Sequence, residues 1–470
     1  MSDRYDVAVI GAGVVGAAVA RELAQYELSC VLIEAADDVG AGTSKANTAI
    51  LHTGFDAKPG YLEARLVQRG YHLLKAYSAE AGIPVEPIGA LLVAWDDDQL
   101  ATLNDIRETA HKNGVTDVEF VSVDELYRRE PKLGQGALGA LEVPGESIIC
   151  PFTPPLAYAT QAVMNGAALR LNSPVRSIER LSDGEYALHC PTESMHCRFL
   201  VNAAGLYADT INRLLGHGEF GVIPRRGELI VFDKMARGLV NHILLPVPSK
   251  MGKGVLISPT VFGNVMLGPT AENLTDKTAT GTTAQGIAAL LDKGRRILPD
   301  LLNEEVTATY AGLRASTEHD DYQIHWHRDE RYLCLGGIRS TGLSASLAIA
   351  EYAVELLAEA GLGLKRKAEF KPVRMPNIGE AFERPYQSEA MIRSNSDYGR
   401  IVCHCERVTR GEILDAAKAV IPARNFDALR RRTRAQMGRC QGFFCSAEVA
   451  SLLAEATGQR VGQLTEIEPS

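Results

Sequence analysis

Three glycines near the start of the chain have the spacing of a phosphate-binding turn. Gly11, Gly13 and Gly16 follow a short apolar run and open an Ala/Val-rich stretch, and Glu34 ends the next apolar run. In a strand–turn–helix unit, the first glycine permits the tight turn, the second lets the backbone approach a pyrophosphate, and the third allows close helix packing. The helix N-terminus supplies N–H donors to the phosphates, and the carboxylate accepts hydrogen bonds from ribose hydroxyls. The pattern predicts a dinucleotide site, but it does not separate FAD from NAD.

Four cysteines near the C-terminus form two close pairs. Cys403 and Cys405 are separated by one residue, and Cys440 and Cys445 by four. Four thiolates can hold a 2Fe-2S cluster or a zinc ion, and the number of ligands alone does not choose between them. Arginines crowd the stretch before the second pair, which favours a solvated helix face, with compensation of cluster charge or docking of an acidic electron-transfer partner as alternatives. These arginines are Arg424, Arg430, Arg431, Arg432, Arg434 and Arg439.

The apolar pattern places the glycine motif in a β-α-β unit. Residues 5–10 and 29–34 are predicted to be buried strands, with a helix between them that ends near Gln25. Such a unit opens a doubly wound parallel sheet. Short strands separated by Gly and Pro turns predict a second, antiparallel sheet. These strands cover residues 90–95, 229–232, 255–257 and 265–267. Further predicted elements are helices over 97–113, 153–164 and 344–360 and strands over 199–204 and 332–335.

The composition is that of an ordinary globular protein. The chain has 470 residues, 46% hydrophobic and 23% charged, with a formal net charge of −9. That length suits two or three domains, and the acidic balance disfavours nucleic acid or an anionic membrane as partners. No apolar run reaches the roughly 18 residues of a transmembrane helix, and residues 1–10 lack the apolar segment of a signal peptide. We expect a cytoplasmic protein without direct membrane insertion, attached to the inner membrane only through a partner if at all.

The stretch 42–54 decides between the two dinucleotides. It holds small and hydroxyl residues after the second strand and ends in His52-Thr53-Gly54. With this stretch, the chain resembles the D-amino-acid oxidase-like superfamily of FAD-dependent oxidoreductases. Within it, the chain is similar to the large subunits of anaerobic glycerol-3-phosphate dehydrogenases and to L-2-hydroxyglutarate dehydrogenases. The likeness spans residues 1–360 and also rests on the segments 59–66, 202–209, 226–228 and 336–343.

The resemblance implies a bound, non-covalent FAD. In such proteins, the loop at 43–47 wraps the flavin phosphates and ring, residues 203–205 pass the adenosine side, and residues 336–343 border the isoalloxazine. Added to the glycine motif, these segments define the candidate cofactor-binding residues. They are Gly11, Gly13, Val14, Val15, Gly16, Glu34, Thr43, Ser44, Asn47, Thr48, Ala204, Gly205, Gly337, Gly342 and Leu343.

Oxidation of an anionic secondary alcohol by a flavin needs a base for the hydroxyl proton and a cation for the anion. His52 is the candidate base, because its counterpart in the relatives lies beside the flavin; a core histidine is the alternative. Arg314 is the leading candidate for the cation, since an arginine at the matching place binds the substrate carboxylate in the amino-acid oxidases. A proline commonly follows there, whereas Ala315 follows here. Arg339 is a second candidate, with a purely structural role as the alternative.

The paired cysteines and their neighbours resemble the bacterioferritin-associated-ferredoxin-like domains appended to glycerol-3-phosphate dehydrogenase subunits. Glu406 and the segments 401–402 and 437–439 carry this likeness. It implies a 2Fe-2S cluster on Cys403, Cys405, Cys440 and Cys445. Zinc and an unmetallated remnant remain the alternatives.

Together these features predict three domains: an α/β FAD-binding Rossmann-like domain, an α+β antiparallel-sheet substrate domain, and a small C-terminal cysteine-rich helical domain. A Lys-, Arg- and Pro-containing stretch without apolar periodicity predicts an extended linker before the last domain. The FAD-binding domain is expected at 1–85, 150–215 and 331–363, the substrate domain at 86–149 and 216–330, the linker at 364–399, and the 2Fe-2S-binding-like domain at 400–470.

The predicted function is an FAD-dependent dehydrogenase that oxidises a small anionic secondary alcohol and passes electrons through a 2Fe-2S centre to an acceptor. Glycerol-3-phosphate, oxidised to dihydroxyacetone phosphate, is favoured as the substrate by the combination of the two domains. L-2-hydroxyglutarate is the alternative, because residues 59–66 resemble that group of enzymes. An amine or amino acid, oxidised by one subunit of a larger electron-transfer complex, and an oxidase that discharges to oxygen are further alternatives. We expect a redox partner protein or further subunits.

Overall fold

A parallel sheet begins with the strand that precedes the glycine turn. The computed structural model describes residues 3–248 and 254–464. The first sheet has eight strands, and its central strands run parallel, which confirms the predicted β-α-β entry. In spatial order the parallel strands are Ala168–Arg170, Cys30–Ile33, Asp3–Ile10, Ser194–Asn202 and Tyr332–Gly336. Antiparallel strands extend its edge: Tyr186–His189 and Ser177–Arg180 beside Ser194–Asn202, and Gln323–His327 beside Tyr332–Gly336.

The helices that cover this sheet pack closely on one another because the residues between them are small. Val14–Leu23 packs against both Thr153–Met164 and Gly342–Glu359, and Leu62–Ala81 packs on the last of these. The backbones approach so closely that a Cβ at Gly70 would lie 2.3 Å from the carbonyl oxygen of Ser344. A central strand with both faces covered is typical of a doubly wound sheet.

The second sheet has nine strands and is mostly antiparallel, as predicted. Its strands are, in spatial order, Val306–Ser316, Ile223–Phe232, Val265–Gly268, Leu256–Pro259, Ile243–Pro246, Ala90–Ala94, Gly139–Val143 and Glu119–Val121, with Glu272–Asn273 also paired to Ile223–Phe232. The helices that follow or precede these strands are Asp97–Lys112, Val123–Arg129 and Ala284–Ile297, whereas Ala208–Leu214 contacts the first sheet. A small third sheet joins Ile50–Leu51, Ser147–Ile149 and Val85–Glu86.

The C-terminal cysteines belong to a small helical unit with its own apolar core. Its elements are the strand pair Ile401–Cys403 and Val408–Thr409 and the helices Arg410–Lys418, Phe426–Thr433 and Ser446–Thr457. The stretch predicted as a linker is mostly irregular and includes the short helix Glu389–Ser394. The domain limits given above stay a prediction. None of the helices within residues 3–248 and 254–464 is both long and apolar enough to cross a lipid bilayer.

Arginines of this small unit dock it onto the rest of the protein. Arg432 makes a two-pronged ion pair with Asp38, at 2.7 and 2.8 Å, and Arg431 binds the same carboxylate. All three side chains are buried. Burial raises the pKa of Asp38, but Arg432 and Arg431 outweigh this effect and hold the pKa below its usual range. The interpretation of the arginine run as a solvated helix face is therefore wrong for Arg431 and Arg432, because both are buried against a carboxylate outside the small unit.

A second contact repeats this pattern. Within the small unit, Arg434 donates to Glu406 at 2.9 Å. Its guanidinium also donates to Asn264, which lies beside the second sheet, and is 4.0 Å from the centre of the Phe262 ring. Arg439 pairs with Asp233 at 2.7 Å. Arg424, by contrast, is exposed. The arginine run is thus mainly an internal docking surface.

We expect Asp38→Ala to lower the free energy of unfolding by about 3–5 kcal/mol, because it leaves two buried guanidinium groups without their counter-charge. Denaturant unfolding measures the change, and trypsin sensitivity of residues 364–399 reports whether the small unit is released. Glu389→Ala is the matched control: its partner Arg393 is also exposed, so the expected loss is below about 1 kcal/mol. Equal effects of the two variants would contradict a docking role for Asp38.

Candidate functional site

A cavity of about 890 Å³ lies where the two large sheets meet. The glycine turn and the turn after Tyr332–Gly336 form one wall, and the strands Ile223–Phe232 and Val306–Ser316 contribute to the other. The volume lies in the range typical of cofactor and ligand sites. The carboxyl ends of the parallel strands open towards it, which is where ligands bind in open α/β sheets.

Most of the candidate cofactor-binding residues line this cavity. Those that do are Gly13, Val14, Val15, Thr43, Ser44, Asn47, Thr48, Gly205, Gly337, Gly342 and Leu343. Gly11 and Gly16 instead shape the turn, since a Cβ at Gly11 would lie 2.5 Å from the carbonyl oxygen of Ala203 and one at Gly16 would lie 1.9 Å from that of Gly11. Ala204 follows Ala203, which does line the cavity, and its N–H donates to Asn202.

The residues present suit a dinucleotide. The helices Val14–Leu23 and Gly342–Glu359 both begin at the cavity, so two positive helix ends face it, and the N–H of Val14 is held by the hydroxyl of Ser44 at 2.9 Å. Glu34 accepts N–H groups from Ala12 and Ala36 at 2.7 and 2.9 Å, which holds its carboxylate at the end of the second strand. These residues fit FAD, whose pyrophosphate and ribose need these kinds of partner.

His52 is held by a carboxylate that the sequence did not reveal. Its Nδ1 lies 2.8 Å from Oε2 of Glu146, which is fully buried, and the other carboxylate oxygen accepts the N–H and the hydroxyl of Thr53. Strand pairing explains the contact: Leu51 is opposite Ser147, so the residues next to them meet. With Glu146 ionised, Nδ1–H donates and Nε2 carries the free lone pair, as a general base requires.

Arg314 supplies a positive charge without a partner among the described residues. It lines the cavity next to Arg225, which is the residue paired with it on the neighbouring antiparallel strand. Its guanidinium lies over Gly227, where a Cβ would come within 2.8 Å of it. Burial, and after it the charge of Arg225, lowers the pKa of Arg314 to about 10, so it stays charged at neutral pH. A largely buried, uncompensated cation is costly, and an anion in the cavity would relieve that cost.

Arg339 is less available. It lines the cavity, but it donates to the backbone oxygen of Asp320 and lies 3.6 Å from Glu63. Thr341 donates to the same carboxylate at 2.7 Å. This arrangement favours the structural alternative for Arg339, and its role in binding an anion stays a prediction.

The structure brings the four C-terminal cysteines together in two pairs. Cys405 lies beside Cys440, and Cys403 lies beside Cys445. No three of these sulfur atoms lie within 4.8 Å of one another in the described part of the chain. A single tetrahedral zinc ion would bring all four to about 4 Å from each other, so two pairs fit two iron atoms better.

The surroundings of the cysteines also suit a cluster. Gly438 leaves room beside Cys405, because a Cβ there would lie 2.4 Å from the Cβ of that cysteine. Backbone N–H groups of the loop that follows Cys440, first of all that of Phe444, lower the pKa of the Cys440 thiol below its usual range. Such N–H groups stabilise negative charge on cluster sulfur atoms.

Sequence reasoning missed Glu146 and Arg225. Glu146 lies 94 residues from its histidine, in a Pro-Gly-Glu turn that carries no catalytic signal of its own. Arg225 precedes the segment 226–228, but only the strand register shows that it faces Arg314. Both residues become visible through strand pairing between distant parts of the chain.

Comparison with known proteins agrees with this site. Residues 6–356 match the model of the FAD dependent oxidoreductase family, and residues 401–455 match the BFD-like [2Fe-2S] binding domain. A glycerol 3-phosphate dehydrogenase from Caloramator mitchellensis is 39% identical over 468 residues, covering 99% of this chain and 96% of the relative. An L-2-hydroxyglutarate dehydrogenase from Nematostella vectensis is 30% identical over 57% of this chain and 63% of its own length.

A solved structure shares the fold at similar identity. The dithionite-reduced L-alpha-glycerophosphate oxidase from Mycoplasma pneumoniae, with FAD bound, aligns with a TM-score of 0.76 and 30% identity over 80% of this chain and all of that one. The fold and the cavity thus define a flavoprotein oxidoreductase. The chain belongs to the FAD dependent oxidoreductase family and carries a BFD-like 2Fe-2S binding domain, as the resemblance implied.

We expect Cys440→Ala to abolish the iron content and the broad visible absorbance of the cluster while the ratio of FAD to protein stays unchanged. The reason is that the cysteines lie in a separate small core, away from the flavin cavity. Metal analysis and the visible spectrum after anaerobic purification measure both. Cys190→Ala, which removes a half-buried thiol outside the four, serves as the control. Zinc at one ion per chain in the unaltered protein, without iron, would contradict this assignment.

Proposed function

We propose that this protein oxidises sn-glycerol-3-phosphate to dihydroxyacetone phosphate and passes the electrons through its 2Fe-2S centre to a partner. The observation that carries the proposal is the paired Arg314 and Arg225 in the same cavity as the His52–Glu146 pair. FAD, when bound, supplies the hydride acceptor for a carbon–hydrogen bond. The full-length similarity to a glycerol 3-phosphate dehydrogenase supports this choice of substrate.

The arginine pair fits a phosphate group. A phosphate monoester carries up to two negative charges, and guanidinium groups bind it through parallel charge-assisted hydrogen bonds. Arg225 is fixed by a 2.7 Å bond from its Nε to Asn273, which leaves its terminal nitrogens available. Arg314, on the neighbouring strand, supplies the second positive charge.

The His52–Glu146 pair fits the alcohol end of the substrate. Nε2 of His52 accepts the proton of the secondary hydroxyl, and the buried carboxylate of Glu146 stabilises the imidazolium that forms. The backbone N–H of His52 donates to the hydroxyl of Ser344 at 2.8 Å, which ties the imidazole to the start of the helix Gly342–Glu359. The proton acceptor is therefore fixed relative to a segment that also lines the cavity.

A 2-hydroxy acid is the second candidate. Relatives named L-2-hydroxyglutarate dehydrogenase support it, although they align with a smaller part of the chain. A carboxylate would bind the same guanidinium groups, so the cation pair alone does not distinguish it from a phosphate. An amine or amino acid is the next class to test.

The first experiment is anaerobic bleaching of the flavin by sn-glycerol-3-phosphate and, on a fresh sample, by L-2-hydroxyglutarate. We expect the phosphate ester to bleach the flavin band and then the cluster absorbance. In Arg314→Met, kcat/KM should fall about 10²-fold or more, because charge-assisted hydrogen bonds to the anion are lost. Its melting temperature without ligand should not fall, since an unpaired buried charge has been removed.

Arg213→Met is the control for this variant, because that arginine is exposed and pairs with Asp209 on its own helix. Bleaching by L-2-hydroxyglutarate alone would replace the proposed substrate with the second candidate. Bleaching by neither would move the search to amines and amino acids.

We expect Glu146→Gln to slow flavin reduction by about 10²–10⁴-fold with little change in substrate affinity. An amide donates to Nδ1, which leaves the proton on Nε2 and removes the lone pair needed for the hydroxyl proton. Stopped-flow bleaching measures the rate, and Glu146→Asp should recover part of it. His52→Ala should show a loss of similar size with FAD still bound. A rise in KM with an unchanged rate would instead indicate that Glu146 only shapes the pocket.

A further inference from the structure

The loop between the last two cysteines exposes apolar side chains to an unusual degree. Phe443 and Phe444 are 84% and 77% exposed, and Met235 is 73% exposed, which are the three highest values among the large apolar side chains of the described residues. Single exposed apolar residues are common, but adjacent exposed phenylalanines forgo the stabilisation that burial would give. Aromatic residues and methionine are enriched in protein interfaces.

The loop holds these side chains in place. The two rings meet edge to face, with centroids 5.2 Å apart and planes at 88°. The N–H of Phe443 donates to the carbonyl of Cys440 at 2.9 Å, and the N–H of Cys445 to that of Gly442 at 3.1 Å. Gly442 adopts a φ of +86°, and a Cβ there would lie 2.6 Å from the hydroxyl of Ser446. The turn is therefore closely built, and it presents the rings outward.

Several arginines of the small unit face the rest of the protein. Arg434 and Arg439 join it to residues at the edge of the second sheet, and Arg431 and Arg432 join it to Asp38. Met235 lies on the border of this contact, because its N–H donates to Asp233, the carboxylate that also accepts from Arg439. The loop with the two phenylalanines thus lies on a solvent-exposed side of the cysteines.

We propose that Phe443 and Phe444 form the docking surface for a second protein that carries a flavin or iron–sulfur centre and accepts electrons from the cluster. The proposal rests on the proposed function, which requires that electrons leave the chain. One electron leaves the reduced cluster, which becomes oxidised, and enters the centre of the partner, which becomes reduced; no bond breaks. Because electron transfer slows steeply with distance, a partner seated between two cluster ligands has the shortest path.

Two other occupants fit the surface less well. A second copy of the chain would place two clusters of equal reduction potential together. It would cover the loop without a net transfer of electrons. A lipid surface favours clustered basic residues around a wide apolar face. The exposed neighbours Gln441, Ser446 and Ala447 are uncharged, and Arg439 is paired with Asp233.

The test begins with p-benzoylphenylalanine, a photoreactive phenylalanine, placed at position 443 of the full chain in its own cells. The matched control places it at Phe120, an exposed phenylalanine (44%) on the strand Glu119–Val121. We expect position 443 alone to crosslink a protein that holds a flavin or an iron–sulfur centre. That protein is then purified and mixed with dithionite-reduced chain.

In this mixture, the double variant Phe443→Ala/Phe444→Ala should transfer electrons about 10- to 100-fold more slowly than the unaltered chain, as expected for central interface aromatics. Phe120→Ala should transfer at the normal rate. Reduction of ferricyanide and the visible spectrum of the cluster should be unchanged in both variants, which shows that the cluster is intact. Chemical reduction makes this result independent of which substrate reduces the flavin.

Several outcomes would overturn the proposal. Crosslinks only to a second copy of the chain, only to lipid, or to no molecule at all would show that the surface does not bind a redox partner. The same holds if the captured protein accepts no electrons, or if the double variant reduces it at the normal rate.

Discussion

Two helix N-termini open onto one cavity, and the rest of the site depends on this constraint. The helices Val14–Leu23 and Gly342–Glu359 pack directly against each other, which is possible because the residues between them are small. Both positive helix ends then point towards the same space. The hydroxyl of Ser344, in the first turn of the second helix, also fixes the backbone of His52. The packing of these two helices therefore also sets the shape of the predicted cofactor site and the position of His52.

The electrostatics of the cavity are divided between its walls. Arg314 and Arg225 give one wall an excess of positive charge. Elsewhere in the cavity, the carboxylate of Glu146 orients His52. A substrate with an anionic end and a neutral alcohol end matches this division. The proposed function therefore depends on His52 and Arg314 together, although they lie far apart in the sequence.

How much of this could be predicted from the sequence depends on whether a signal is local. The glycine motif, the paired cysteines and the β-α-β entry are local patterns, and the family model and the parallel sheet confirm the flavoprotein assignment built on them. The loop at 43–48 and the turn at 337–343 reach the cavity as the resemblance implied. Their individual roles stay predictions.

What could not be predicted depends on long-range pairing. Glu146 and Arg225 reach the site through strand register, which no local pattern encodes. Burial of Arg431 and Arg432 was missed for a related reason. A run of arginines is normally solvated, and only the ion pairs with Asp38 offset the cost of burying these two. The long helix Leu62–Ala81 and the strand Val306–Ser316 were likewise not assigned.

The ion pair at Asp38 also bears on the loop that lines the cavity. Asp38 lies between Glu34 and the loop at 43–48, whose inner side lines the cavity. Asn425 donates to Asp37 and Arg431 donates to Asp38, so the cysteine unit packs against the segment that leads into this loop. The position of the small unit and the conformation of this loop are therefore coupled through a single buried carboxylate, although the loop and the cysteines lie almost 400 residues apart in the sequence.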